Sequence, residues 1–245
     1  MSANLRHREI LQLLEAQGAV SIRELTKTLY ASEATIRRDL AELEREGALK
    51  RTYGGAKSIL DTKDQVPLFI REALDSKAKD ELCRQAAELV RDGDTVFLDG
   101  SSTTQYLIKY IASKADVTLV TYSVKTAELA CSAHIKTYCA GGLLLENSLV
   151  CTGPKAIDFA RSVNTDICFL SCKGMSADGT FSDTSEEETA LRRAFMQNAR
   201  TRVMLMTGNK LGNAYLHTLC HADELDHLFS DAALPATLTD ALRKK

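Results

Sequence analysis

From residue 77 onward, short apolar runs and helix-like runs take turns, and this alternation restricts the available folds more than any other feature of the chain. The apolar runs are TVFLD (95–99), VTLVT (117–121), IKTYCA (135–140), DICFLS (166–171) and RVMLM (202–206). The spacing predicts helices over 77–91, 102–112, 125–133, 154–162 and 186–199 around and between them. Repeated β-α alternation implies a mostly parallel sheet covered on both faces. Such sheets take ligands beyond the carboxyl ends of their strands. At 245 residues the chain has room for one large domain or two unequal ones.

The first 57 residues follow a different pattern. Residues 4–17 read as a helix, with Leu5, Ile10, Leu13 and Leu14 apolar and Gly18 as its stop. Ser21-Ile22-Arg23-Glu24 forms a capping box that opens a second short helix through Leu29. Tyr30-Ala31 make a tight turn, and Ser32 caps a third helix ending at Gly47, with Glu33 in its first turn. Within that helix Ile36, Leu40 and Leu43 form one apolar stripe. Ala34, Arg37, Arg38 and Ala41 fall on the opposite side, so two arginines and two small residues share the exposed face. Small residues permit close approach to a surface, and guanidinium forks hold phosphates or read guanine edges. Two short helices joined by a tight turn, the second carrying an exposed Arg pair, fit a helix-turn-helix. Ala48 to Tyr53 then alternate loosely like a small hairpin, with Gly54-Gly55 as its turn. Lys50, Arg51 and Tyr53 are available there to a phosphate backbone. A basic hairpin after the recognition helix is the wing of a winged helix. A solvated helix face would explain the Arg pair alone, but not the caps and the wing together.

Net charge is −2 over the whole chain. Residues 1–57 hold ten Lys/Arg against eight Asp/Glu. That surplus is too small to indicate nucleic-acid binding by itself, so the placement of charge carries the inference. No apolar run approaches the ~18 residues of a membrane span, and MSANLRHREI has no apolar core of a secretory signal. The seven cysteines are scattered without a C-x-x-C pair, which fits reduced thiols in a cytoplasm better than disulfides or a zinc site. Nothing in the pattern calls for a cofactor.

The stretch S-x-x-T-I-R-R-D-L-x-x-L-x-x-x-G-x-L-x-R-x-x-G-G-A, from Ser32 to Ala56, resembles the N-terminal signature of the DeoR family of bacterial transcriptional regulators. Tyr53 stands where the family often has His. The resemblance implies that Ser32, Thr35, Arg37 and Arg38 face duplex DNA. Asp39 is expected to orient an arginine, since a carboxylate repels phosphate.

Residues 58–76 carry Pro67 and mixed charge, and read as a linker with few apolar anchors between a DNA-binding domain (1–57) and an α/β domain (77–245). Several signals lie at strand ends of the latter. Asp99-Gly100-Ser101-Ser102-Thr103-Thr104 places hydroxyls and backbone N–H groups at an expected helix start, a phosphate cradle or else an ordinary cap. Gly141-Gly142 permits close backbone approach or forms a plain turn. Lys173 and Lys210 follow strands and are candidates for an anion, or else solvated surface lysines. The order of Arg71/Lys77, Asp99 to Thr104, Val120 to Ser123, Gly141-Gly142, Gly174-Met175 and Asn209 to Gly212 resembles the DeoR-type sensor domain. That domain is related in fold to ribose-5-phosphate isomerases and senses a phosphorylated sugar or derivative.

The resemblance therefore implies an effector site of Lys77, Asp99, Ser101, Ser102, Thr103, Thr104, Gly141, Gly142, Lys173 and Lys210. Ser101 and Tyr122 replace the family's usual Gly and Asn, and both would narrow the pocket. The S-S-T and F-L-S-C-K-G forms are closest to the fucose-operon regulators. The related isomerases need a carboxylate base, whereas Leu170-Ser171-Cys172-Lys173 contains none. Asp178 suits a hairpin in A-D-G-T, and Glu186 to Glu188 suit a helix's first turn. A sugar-phosphate isomerase carrying a DNA-binding module is the alternative, and a structural nucleoid protein would leave the phosphate loop unexplained. Reading two half-sites implies a homodimer or homotetramer.

Overall fold

A computed structural model describes residues 3–58 and 67–234, so 59–66 of the expected linker and 235–245 lie outside the described residues. Contacts divide the chain after Ser76 into two compact units.

In the first unit, α1 (Ala3–Gln17), α2 (Ile22–Leu29) and α3 (Glu33–Arg45) pack around Ile10, Leu14, Leu25, Ile36, Leu40 and Leu43, all buried. Each of these sits on the apolar stripe of its helix. Ser21 Oγ accepts from Glu24 N, and Ser32 Oγ accepts from Thr35 N, so both expected N-caps form. The chain leaves α2 through Tyr30, whose left-handed φ of 49° makes the sharp turn. β1 (Ala19–Ser21), β3 (Gly55–Ser58) and β2 (Leu49–Thr52) form a small antiparallel sheet in the order β1-β3-β2.

The register pairs Thr52 with Gly55, so the wing turns at Tyr53-Gly54, one residue earlier than the glycine pair suggests. Gly55 is a strand residue. A Cβ there would lie 1.9 Å from the Val20 carbonyl oxygen on β1, and only glycine permits that approach. The linker expectation fails in its second half: Leu68–Ala73 forms α4, and Ile70, Ala73 and Leu74 join the first unit's core.

The second unit is built on a parallel sheet in the order β14-β12-β9-β4-β5-β6. These strands are β4 (Thr95–Leu98), β5 (Thr118–Thr121), β6 (Lys136–Cys139), β9 (Thr165–Leu170), β12 (Ala199–Met206) and β14 (His227–Ser230). The side-chain period of two fills both faces. Phe97, Cys168, Leu170, Met204 and Met206 join one core, whereas Val96, Leu98, Ile167, Phe169, Val203 and Leu205 join the other. The flanking helices are α5 (Ser76–Ala86), α6 (Ile108–Ile111), α7 (Val124–Ser132), α8 (Pro154–Ser162) and α9 (Glu186–Gln197). The expected helix over 102–112 is instead a 3₁₀ segment, Thr104–Leu107, followed by the single turn of α6.

The hairpin of β7 (Leu143–Leu145) and β8 (Val150–Thr152) follows β6, and β10 (Gly174–Met175), β11 (Thr180–Asp183) and β13 (His217–His221) form a side sheet. From β4 the chain builds outward through β5 and β6, then returns to β9 and builds the other way. The strand order therefore reverses between β4 and β9, which is where open α/β sheets hold ligands.

The two neighbouring wing glycines separate cleanly. Gly55→Ala should destabilise the winged unit by roughly 1–3 kcal/mol through overpacking. Gly54→Ala, with open space around its Cβ, should stay within about 0.5 kcal/mol. Urea unfolding of the two variants checks this.

Candidate nucleic-acid interface and effector site

The exposed face of α3 carries the groups expected there. Ser32 Oγ lies 2.9 Å from Thr35 Oγ1, so the two hydroxyls act as a linked pair at the helix start. Arg37 and Arg38 are both exposed. Glu33 Oε1 accepts from Arg37 Nη2 at 2.6 Å and from its Nε at 3.0 Å, an exposed i,i+4 pair. A shallow groove beside this face is lined by Ile22, Arg23, Thr26, Glu33, Arg37 and Gly54, which adds Arg23 to the candidates.

Asp39 is buried and receives Arg6 Nε at 2.7 Å and Nη2 at 2.9 Å, with His7 Nε2 at 3.3 Å. It thus fixes α3 against α1 and does not face outward. The bond to Asp39 also raises the Arg6 pKa. On the wing, Arg51 N donates to Glu44 Oε1 at 2.9 Å, which ties the strand to α3. Lys50 is exposed, and Tyr53 stands fully exposed at the turn.

In the second unit the loop after β4 is organised by Asp99, which is wholly buried. Its Oδ1 accepts from Ser101 N at 3.0 Å and from Thr104 Oγ1 at 2.8 Å. Its Oδ2 accepts from Ser171 N, beyond β9, at 2.9 Å. One carboxylate therefore joins the ends of the two central strands across the switch point. Gly100 lies over Val150, whose Cγ1 would be 2.3 Å from a Cβ, so the loop cannot carry a side chain there. Ser101 Oγ accepts from Thr104 N at 3.1 Å. The N–H groups of Ser102 and Thr103 have no hydrogen-bond partner among the described residues. Tyr122 is wholly buried beneath the loop, against Phe97 and Phe195.

Cations surround this loop. Lys79, buried on α5, donates to Ser102 Oγ at 3.2 Å. Lys210 donates to Ser171 Oγ at 2.9 Å, and that hydroxyl donates to Leu205 O at 2.8 Å. Lys173 reaches Thr184 Oγ1 at 3.2 Å and lies over the Tyr215 ring at 5.4 Å. Arg192 on α9 donates to Ser171 O and to Asp183 Oδ2, both at 2.8 Å, and lies 3.9 Å from Asp99. Burial works against the Arg192 charge, but Asp183, Tyr122 and Asp99 outweigh it and hold the pKa well above the ordinary value. Burial likewise pushes up Asp183, yet Arg192's charge and hydrogen bond more than offset this and leave its pKa lowered. Burial pushes the Cys172 thiol up to about 11.

The sequence-derived set is thus partly assembled. Asp99, Ser101, Ser102, Thr103, Thr104 and Lys210 converge at the switch point, with Lys173 on the β11 side. Lys77 is corrected: it is exposed, and the lysine of α5 that reaches the loop is Lys79. Gly141 and Gly142 are exposed beyond β6, two strands away from β4. Gly142 answers a local need, since a Cβ would lie 2.2 Å from Thr152 O. The two carboxylates at the site, Asp99 and Asp183, are both committed to the bonds above. Ser171, Lys79 and Arg192 were missed. Ser171 closes DICFLS and reads as a strand end, whereas Arg192 sits beside Arg193 in a helix whose first turn is E-E-E.

A winged helix-turn-helix and a ligand-binding type of α/β unit on one chain are the parts of a transcriptional regulator that binds DNA. The chain belongs to the DeoR family: residues 6–62 match the DeoR-like helix-turn-helix domain and residues 74–232 the DeoR C terminal sensor domain. The L-fucose operon activator of Haemophilus influenzae is 30% identical over 96% of this chain and 94% of that protein. The glycerol-3-phosphate regulon repressor of Escherichia coli is 26% identical over 99% of this chain and 96% of that one. A fucose-operon regulator is therefore among the relatives, without standing apart from them. Ribose 5-phosphate isomerase A from Methanocaldococcus jannaschii resembles 56% of this chain and 55% of its own, at 17% identity and a TM-score of 0.43. Among the described residues no helix is long and apolar enough to cross a membrane.

Asp183 gives the site a pH signature. Its folded pKa is lowered, so its ionisation adds stability that is fully present above the ordinary carboxylate pKa of about 4. That stability is lost as pH falls through the lower folded value. Asp183→Asn should remove this part of the acid dependence, and thermal melts between neutral and acid pH measure it.

Proposed function

We propose that the chain represses a carbohydrate-utilisation operon in the cytoplasm and that a phosphorylated sugar, bound at the β4/β9 switch point, sets its operator affinity. The observation that carries this reading is the loop at Ser102 and Thr103. Two backbone N–H groups without partners among the described residues stand beside Lys79, and Lys210 lies on Ser171 at the end of the neighbouring strand, a donor set suited to a phosphate. DNA is read through Thr35, Arg37 and Arg38, with Ser32, Lys50, Arg51 and Tyr53 on the phosphate backbone. The chain acts as a homodimer or homotetramer, because specific operators are usually met by two-fold pairs of such modules.

The isomerase alternative is disfavoured by the committed carboxylates. A base must be within reach of the proton it removes, and Asp99 already accepts three hydrogen bonds inside the protein. Turnover of ketose or aldose phosphates would revive that alternative.

Arg37→Ala or Arg38→Ala should each weaken operator binding by ~1–3 kcal/mol with relaxed specificity. A sugar phosphate found by thermal shift should add ~2.7 kcal/mol of stability at ~100 times its dissociation constant. It should also change operator affinity by ~5–150-fold. Lys210→Ala or Thr103→Val should abolish that change while effector-free DNA binding persists. Fluorescence anisotropy on operator DNA checks both sets, and an intact response in both loop variants would place the effector elsewhere.

A further inference from the structure

Among the described residues, five of the six exposed large apolar side chains of the α/β unit fall in one stretch, and the sixth, Leu216, lies outside it. Val124, Tyr138, Leu143, Leu144 and Leu149 are between 37% and 69% exposed, and all lie within residues 124–149. They are neighbours in the fold as well. Val124 N donates to Leu149 O at 2.9 Å, and Ser123 bridges Val150, which joins the start of α7 to the β7–β8 hairpin. The hairpin follows directly on β6, which ends the parallel sheet.

An edge strand presents unpaired N–H and C=O groups, and monomeric proteins blunt such edges with charge, proline or a covering element. Here the edge carries Tyr138, Cys139 and a single lysine, beside a hairpin of three leucines. Contiguous apolar surface of this kind marks an interaction site.

We infer that β6 and the β7–β8 hairpin form the contact through which a second copy of this chain docks. The inference rests on the reading of the protein as a homo-oligomer and assigns that assembly a surface. Two observations favour a second copy over another partner. First, between Ile135 and Thr152 the only charged residues are Lys136 and Glu146, of opposite sign and both exposed. The patch is therefore neutral and does not repel its own copy, and depletion of charge marks interface cores. Second, a two-fold axis beside β6 sets the strand antiparallel to its symmetry mate, so one contact covers both edges at once. A foreign partner would need its own free strand to do the same.

The test is sedimentation of the full chain over a range of concentrations, with operator affinity measured in parallel. The wild type should be an oligomer at micromolar concentration. Leu144→Asp should weaken association by about 30-fold or more, the effect of losing a hot-spot side chain. It should also lower operator affinity and leave the sugar-phosphate thermal shift intact. Lys136→Glu alone and Glu146→Lys alone should each weaken association by giving the patch a net charge. The double reversal, neutral again, should restore it.

A wild type that stays monomeric while saturating its operator overturns the oligomer reading itself. An oligomer indifferent to Leu144→Asp and to both charge reversals overturns this surface alone. Another face would then make the contact.

Discussion

The α/β unit depends on one buried carboxylate. Asp99 ends β4, and its two oxygens are shared between its own loop and the backbone of Ser171 at the end of β9. A buried charge is costly unless bonded and paired. Here the loop hydroxyl, two backbone N–H groups and the nearby Arg192 supply what water would have supplied. The two strands joined in this way are the pair between which the strand order reverses, so the bond that stabilises the sheet also shapes the crevice at their ends.

The remaining geometry follows from that arrangement. Asp99 takes the N–H of Ser101, and Ser101 takes that of Thr104, whereas the N–H groups of Ser102 and Thr103 have no partner among the described residues. Ser171 is bonded through all its polar atoms: its N–H to Asp99, its carbonyl from Arg192, and its hydroxyl between Lys210 and Leu205. Ser171 thus links Lys210 to β9 and, through Arg192, to α9 and β11. In the DNA-binding unit Asp39 plays a comparable part. It anchors the inner face of α3 on Arg6, which leaves the outer face with its two arginines free of structural duty to the core.

Much of this was legible in the sequence, and the misses have physical causes. The caps at Ser21 and Ser32, the stripe of Ile36, Leu40 and Leu43, and the strands of the parallel sheet are local patterns, and the local chain determines them. Long-range pairing is not local: nothing near Asp39 points to Arg6, and nothing near Arg192 points to Ser171 or Asp183. Lys77 and Lys79 illustrate a phase error, since two positions on a helix differ by about 200° and only one faces the loop. The glycine pair at 54–55 resembles a turn, but the turn is Tyr53-Gly54 because Val20 demands glycine one position later. β13 and β14 carry polar His, Thr and Ser among their apolar residues, so neither forms a continuous apolar run.

Amide hydrogen exchange on the full chain, with and without an activating sugar phosphate, tests the central claim most directly. If the phosphate is held by the loop that Asp99 organises, exchange slows at Ser102 and Thr103 within the peptide 99–105, and at 171–175 beyond β9. Protection confined to other segments, with 99–105 unchanged at saturating ligand, would contradict the account.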